Sequence, residues 1–261
     1  MIHSISKSSL LMFLRCPAQF ERRYINEEII PPGISARRGG AIHKAAQINH
    51  EQKLTSREDL PVGDLQDAAR DYYVQTVKER GVFIPKERLS EKTALLNEGL
   101  NTSIRLTQLY REEVAPTIQP VLVEEKMEID VGMALPITGI LDVYTEDKRL
   151  PDFKSADKSP AKGVADKSLE LTFYAGLVAD KTGEWPEEVS LDYLVNNKTP
   201  KYDQQKSKRG PVDWANLLLR VQLMIRQVQT GLFPPCDPSS WICSPTWCGY
   251  WQTCKYAIRR Q

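Results

Sequence analysis

The chain has 261 residues, 26% of them charged, with 35 Lys and Arg against 34 Asp and Glu. That length can bury a sizeable core, as one large α/β domain or a core with small appendages. The near-zero net charge excludes a histone-like or polybasic protein, while a local basic patch would suffice to meet nucleic acid. No apolar run approaches the roughly 18 residues of a membrane span. Five cysteines with no secretion signal favour metal ligation over disulfides and make a cytoplasmic setting the expectation.

The stretch "SSLLMFLRC" is apolar but short, lacks a small-residue cleavage site and runs on into "PAQFERRYI", so it reads as a helix with a serine cap rather than a signal peptide. Pro17 breaks or restarts that helix just after Cys16. "PPGISARRGG" at 31–40 reads as a loop, and a helix is expected from "AIHKAAQINHEQ" onward. Apolar residues at helical spacing predict two longer helices over 64–80 and about 90–114, so that 50–115 forms a helical insertion. After Pro120 the runs "VLVEEKMEIDV", "ALPITGILDVYTED" and "KRLPDFKS" predict three consecutive strands. A helix over 168–181, a strand in "EEVSLDYLVNN", a polar basic loop over 198–211 and an amphipathic helix from an Asp213 cap to Gly231 follow.

The chemistry sits on the central strands. Asp152 and Lys154 in "PDFKS" are one residue apart, so a strand points both side chains to one face. Asp142 in "GILDVY" lies on a neighbouring strand, and two carboxylates sharing a site repel unless a cation neutralises them. Oxygen ligands select Mg²⁺ or Mn²⁺, which polarise a phosphodiester and activate water. Lys154 would then stabilise charge on phosphorus, since an unperturbed lysine is protonated at neutral pH. His43 in "GGAIHKAA" offers a third ligand if its helix packs over the strands; a satisfied core histidine is the plain alternative. His3 and His50 lack such a context and are expected on the surface.

Together these residues resemble the PD-(D/E)xK nucleases of the RecB type, and within them the iron–sulfur exonucleases that include the CRISPR-associated RecB-like exonuclease and the AddB nuclease domain. The resemblance spans almost the whole chain. It implies a restriction-endonuclease-like α/β fold, a mixed central sheet flanked by helices, and a DNA exonuclease preferring single strands or ends, in recombination, repair or CRISPR spacer acquisition. "GAIH" matches a G-x-x-H motif and implies His43 as metal ligand; "GILDVY" and "DFKS" imply Asp142 and Asp152 as ligands, Lys154 as the catalytic lysine and the Phe153 carbonyl as a further ligand. In the helix "ELTFY", Tyr174 matches the tyrosine of Q-x-x-x-Y, but Glu170 stands in place of Gln, and an ionised Glu only accepts hydrogen bonds. That departure is the one feature favouring a non-catalytic accessory subunit. In "EEKMEI", Glu125 takes the acidic position of the strand before motif two. The resemblance leaves open a homo-oligomer or an adaptation or recombination partner.

"WICSPTWCGYWQTC" packs three cysteines and three tryptophans into 14 residues. In the iron–sulfur branch one N-terminal cysteine joins three C-terminal ones around a 4Fe-4S cluster, which implies Cys16, Cys243, Cys248 and Cys254 here, with Cys236 left over. The cluster module then comprises 233–261 with Cys16, the tryptophans seal it, and the closure contributes on the order of 5 kcal/mol by chain entropy. A Cys₄ zinc site has the same ligands and is not separated by spacing alone. The basic stretches "SARR" at 35–38 and "KSKR" at 206–209 are expected to meet phosphates, with Tyr174, Tyr193 and Phe153 as stacking residues or core.

Overall fold

The computed structural model describes residues 2–259. A short strand, Ile5–Ser6 (β1), runs into the helix Lys7–Arg15 (α1). Ser6 caps that helix: its hydroxyl accepts from the Ser9 N–H, and the Ser9 hydroxyl accepts from the Ser6 N–H. Extended Cys16 separates α1 from Pro17–Phe20 (α2), where proline at the first position loses no intrahelical bond.

The next helix, Ile34–Ser56 (α3), begins inside the segment expected to be a loop. Gly39 and Gly40 lie within it, and their role is close packing. A Cβ on Gly40 would stand 3.3 Å from Tyr72. Tyr72 belongs to Val62–Arg80 (α4), which with Lys92–Leu109 (α5) packs on α3 as a helical layer. Both were expected from their spacing, and both end within a few residues of the expected bounds.

Strands Pro120–Ile129 (β2), Ile137–Thr145 (β3) and Arg149–Ala156 (β4) follow, then the helix Leu169–Thr182 (α6), strands Glu188–Val195 (β5) and Lys201–Ser207 (β6), and the helix Pro211–Thr230 (α7). The strands form two mixed sheets rather than one central sheet, ordered β1-β3-β2 and β4-β5-β6. β1 is parallel and β2 antiparallel to β3; β4 is parallel and β6 antiparallel to β5. Parallel β4 and β5 require a crossover, which α6 supplies. The sheets part between β3 and β4, where His43 of α3 engages the Phe153 carbonyl. β6 replaces the expected basic loop: its alternation is polar on both faces, and its ladder to β5 rather than apolar burial defines it.

Two apolar cores result. One joins α1, α6 and α7 to β3, with Ile137, Leu141, Leu177 and Val221 at its centre; the other joins α3, α4 and α5 to Val143, Phe153 and Leu194. The α7 cap is Gly210, and Asp213 accepts from the Gly210 N–H at 2.9 Å instead of capping the helix itself. No helix is long and apolar enough to cross a membrane.

Candidate active site

On β3 the buried Leu141 and Val143 face the cores, so alternation puts Thr138, Ile140 and Asp142 on the opposite face. On β4 the same rule pairs Asp152 with Lys154 and sends the Phe153 ring inward against His50 and Tyr110. The long helix α3 carries His43 over the gap between the strands. His43 Nδ1 lies 3.1 Å from Asp142 Oδ2, and His43 Nε2 lies 2.8 Å from the Phe153 carbonyl oxygen. Among the described residues, His43, Asp142 and Asp152 form one group whose ligand atoms lie within 4.8 Å of one another.

In this group each carboxylate is paired with a nitrogen base, Asp142 with His43 and Asp152 with Lys154. Burial would lower the His43 pKa, but the Asp142 hydrogen bond and the Asp142 and Asp152 charges outweigh it and raise it to about 9. Without a metal the protonated ring bridges the two oxygens, so a cation bound here would have to displace a proton from His43. Burial pushes Asp152 up to about 6, with the Lys154 charge opposing and the Glu170 and Asp142 charges adding. Lys154 Nζ lies 2.8 Å from Asp152 Oδ2, yet that buried oxygen has no hydrogen bond of good geometry. The close approach is a charge contact, and a metal bound at Asp152 would share that carboxylate with the Lys154 ammonium. Two carboxylates and a neighbouring carbonyl are hard oxygen donors that fit Mg²⁺ or Mn²⁺, and His43, once deprotonated, adds a softer nitrogen ligand.

Glu170, in the first turn of α6, accepts from Lys154 at 2.9 Å and from Lys7 at the start of α1. Burial raises its pKa, but Lys154 and Lys7 outweigh that and hold it low. Burial lowers Lys154, but Asp152 and Glu170 more than compensate, so it stays protonated. Lys7 Nζ also sits 5.3 Å from the Tyr174 ring centre. Nothing in the spacing of the sequence flags Lys7, which meets Glu170 across 163 residues. The acid before motif two is also displaced. Glu125 pairs with Lys181, whereas Glu124 feels the Asp142 charge and has φ 49°, the left-handed region unfavourable for a residue with a Cβ.

A family model of the PD-(D/E)XK nuclease superfamily matches residues 4–255. The chain belongs to the PD-(D/E)XK nuclease superfamily. No curated protein matches it. The crystal structure of a proposed exonuclease from Eubacterium rectale aligns over 99% of this chain and 90% of its own, with 11% identity and a TM-score of 0.57. At that identity the likeness concerns the fold. A second structure, of the protein SSO0001, aligns over 82% of this chain and 96% of its own at 16% identity, and its TM-score of 0.38 carries no argument.

Elsewhere in this nuclease the five cysteines line one cavity of about 30 Å³ between α2 and the C-terminal segment. Cys236, set apart in the sequence reading, is among them. Its N–H donates to Cys16 Sγ at 3.4 Å, and Gln19 Nε2 donates to Cys248 Sγ at 3.7 Å. Burial, with the Cys16 and Cys243 sulfurs adding, pushes the Cys236 thiol up to about 12. The tryptophans divide. Trp251 lines the cavity, but Trp241 and Trp247 are 63% and 59% exposed and pack edge to face on each other.

The arginines of the basic stretches serve the fold, while Lys206 and Lys208 stay exposed. Arg37 donates to the carbonyls of Arg80 and Gly81, and Arg38 pairs with Asp157. Arg209 is 7% exposed and donates to Thr172 and to the carbonyls of Ala165 and Ser168. Phe153 is core, and only its carbonyl faces the site; Tyr174 and Tyr193 are half-buried. His50 is also core rather than surface, hydrogen-bonded to the Tyr110 hydroxyl at 2.7 Å.

Proposed function

We propose that this chain is a metal-dependent DNA exonuclease of the RecB-like iron–sulfur branch, acting on single strands or DNA ends in recombination, repair or CRISPR spacer acquisition. The observation that carries the reading is the convergence of His43, Asp142 and Asp152 within 4.8 Å, with the Lys154 ammonium 2.8 Å from Asp152. A Mg²⁺ or Mn²⁺ bound there supplies Lewis-acid stabilisation and an activated water. His43, Asp142, Asp152 and the Phe153 carbonyl hold it. Lys154, kept protonated, orients the attacking water and offsets charge developing on phosphorus. Glu170 fixes the Lys154 ammonium from the other side, and the proposed exonuclease of Eubacterium rectale shares the fold.

The cofactor of the second site is a 4Fe-4S cluster held by Cys16, Cys243, Cys248 and Cys254. Its support is a thiol set gathered on one cavity, with N–H donors to two sulfurs. Against the accessory-subunit reading stands the pairing of Glu170 with Lys7 and Lys154, which offsets the charge that set it apart from Gln.

The test is degradation of end-labelled single- and double-stranded DNA with Mn²⁺, comparing anaerobically purified wild type with Lys154→Ala. Wild type is expected to cut, with the label position giving polarity, and the variant to lose about 10²- to 10³-fold in kcat. Binding without cleavage by a metal-loaded wild type would overturn the catalytic reading.

A further inference from the structure

An open pocket of about 290 Å³ lies beside the metal site, between the start of α1, the strands β2 and β3, and Tyr174 of α6. We propose that this pocket is a phosphate subsite for the nucleic-acid strand, with Lys7 and Lys126 as its cations; the inference rests on the nuclease reading above. Lys7 and Lys126 are among its lining residues with Ser6, Thr138, Ile140 and Tyr174; its surface is otherwise largely apolar, and among the described residues no carboxylate lines it. The Ser6 and Thr138 hydroxyls donate to Ser9 and Ser4, so the two lysines are the groups that suit an anion.

The position along β3 fixes the relation to the chemistry. Ile140 and Asp142 share a face two residues apart, about 7 Å along the strand. Lys126 stands opposite Ile140 in the β2–β3 ladder. A strand whose scissile phosphate sits at Asp142 therefore reaches the pocket with a neighbouring phosphate. Ile140, 52% exposed on the pocket wall, offers apolar surface to the sugar or base between them.

Lys7 joins pocket and metal site. Its ammonium lies over the Tyr174 ring and on Glu170, whose other oxygen holds Lys154. A lone Glu170 carboxylate would repel a phosphate. With Lys7 and Lys154 on it, Glu170 does not stand as a lone negative charge toward the pocket, and Lys154 is shared with Asp152.

The experiment measures anisotropy of a labelled single-stranded oligonucleotide in Ca²⁺ across a salt series, and steady-state cleavage in Mn²⁺. It uses Lys126→Met, Lys7→Met, Lys7→Arg and, as a control at the opposite end of β3, Lys148→Met. Expected are a severalfold rise in Kd and KM for Lys126→Met, with kcat little changed. The slope of log Kd against log salt should fall by about 0.7 for each pocket lysine removed. Lys7→Arg should stay near wild type, and Lys148→Met should match it. If Lys7→Met fails to fold, Lys126→Met carries the test by itself. A loss seen only with an end-phosphorylated oligonucleotide assigns a terminal phosphate to the pocket; an equal loss with hydroxyl ends assigns an internal phosphodiester. Wild-type affinity and slope in Lys126→Met, with wild type still cleaving, overturn the subsite alone. If wild type neither binds nor cleaves DNA, the nuclease reading fails and the subsite with it.

Discussion

Glu170 holds two ammonium groups, from Lys7 and Lys154, on one carboxylate in the first turn of α6. Replacing it with Gln keeps the shape but removes the charge that holds them near each other. Glu170→Gln is therefore expected to lower kcat/KM, and Lys7→Met/Glu170→Gln to recover part of the loss. A double-mutant cycle on kcat/KM should show a coupling of about 0.5–3 kcal/mol, and additive effects would refute the pairing. His50 tests the interior in a different way. It is 1% exposed, and burial, with the Lys53 charge helping, pushes its pKa down to about 3. The folded chain thus keeps His50 neutral while the unfolded chain protonates it near pH 6.5. Its contribution is full above pH 6.5 and is lost as the pH falls toward 3. Urea midpoints for His50→Gln should accordingly depend less on pH between 7 and 4 than those of wild type.

Between α6 and α7 the helices approach so closely that a Cβ on Gly176 would lie 2.2 Å from the Trp214 ring. Gly176→Ala should destabilise by about 1–3 kcal/mol through overpacking, read as a lower thermal midpoint with metal binding retained. That contact explains what was legible and what was not. α4, α5, α6 and α7 announce themselves through a 3.6-residue apolar period, α1 through an apolar stretch behind its serine cap, and β2 to β5 through β-branched runs. The start of α3 did not, because Gly39 and Gly40 look like loop residues until β4 is seen beside the first and α4 packed on the second. β6 did not, because a polar strand is defined by its ladder to β5 and not by its own pattern.

At the scale of the molecule, both sites are assembled from distant parts of the chain. The motif residues His43, Asp142, Asp152 and Lys154 were readable because each lies in a short local pattern. Lys7 and the place of Cys236 were not, because they are defined only by partners 163 and 220 residues away. The cysteine cavity joins α2 to the C-terminal segment, so a cluster there would act as a cross-link whose chain-entropy contribution is on the order of 5 kcal/mol. Cys16→Ser is expected to lose iron and sulfide together and to lower the thermal midpoint; full iron content in that variant would exclude Cys16 as a ligand. The central claim concerns the other site, and the measurement that tests it most directly is calorimetric titration of Mn²⁺ at pH 8 into anaerobically purified protein freed of divalent ions with its cluster kept. Wild type should bind Mn²⁺ at this site, and Asp142→Asn and Asp152→Asn, each still folded by circular dichroism, should lose that binding. Binding in both variants equal to wild type would contradict the account, because the carboxylates would then not be the ligands.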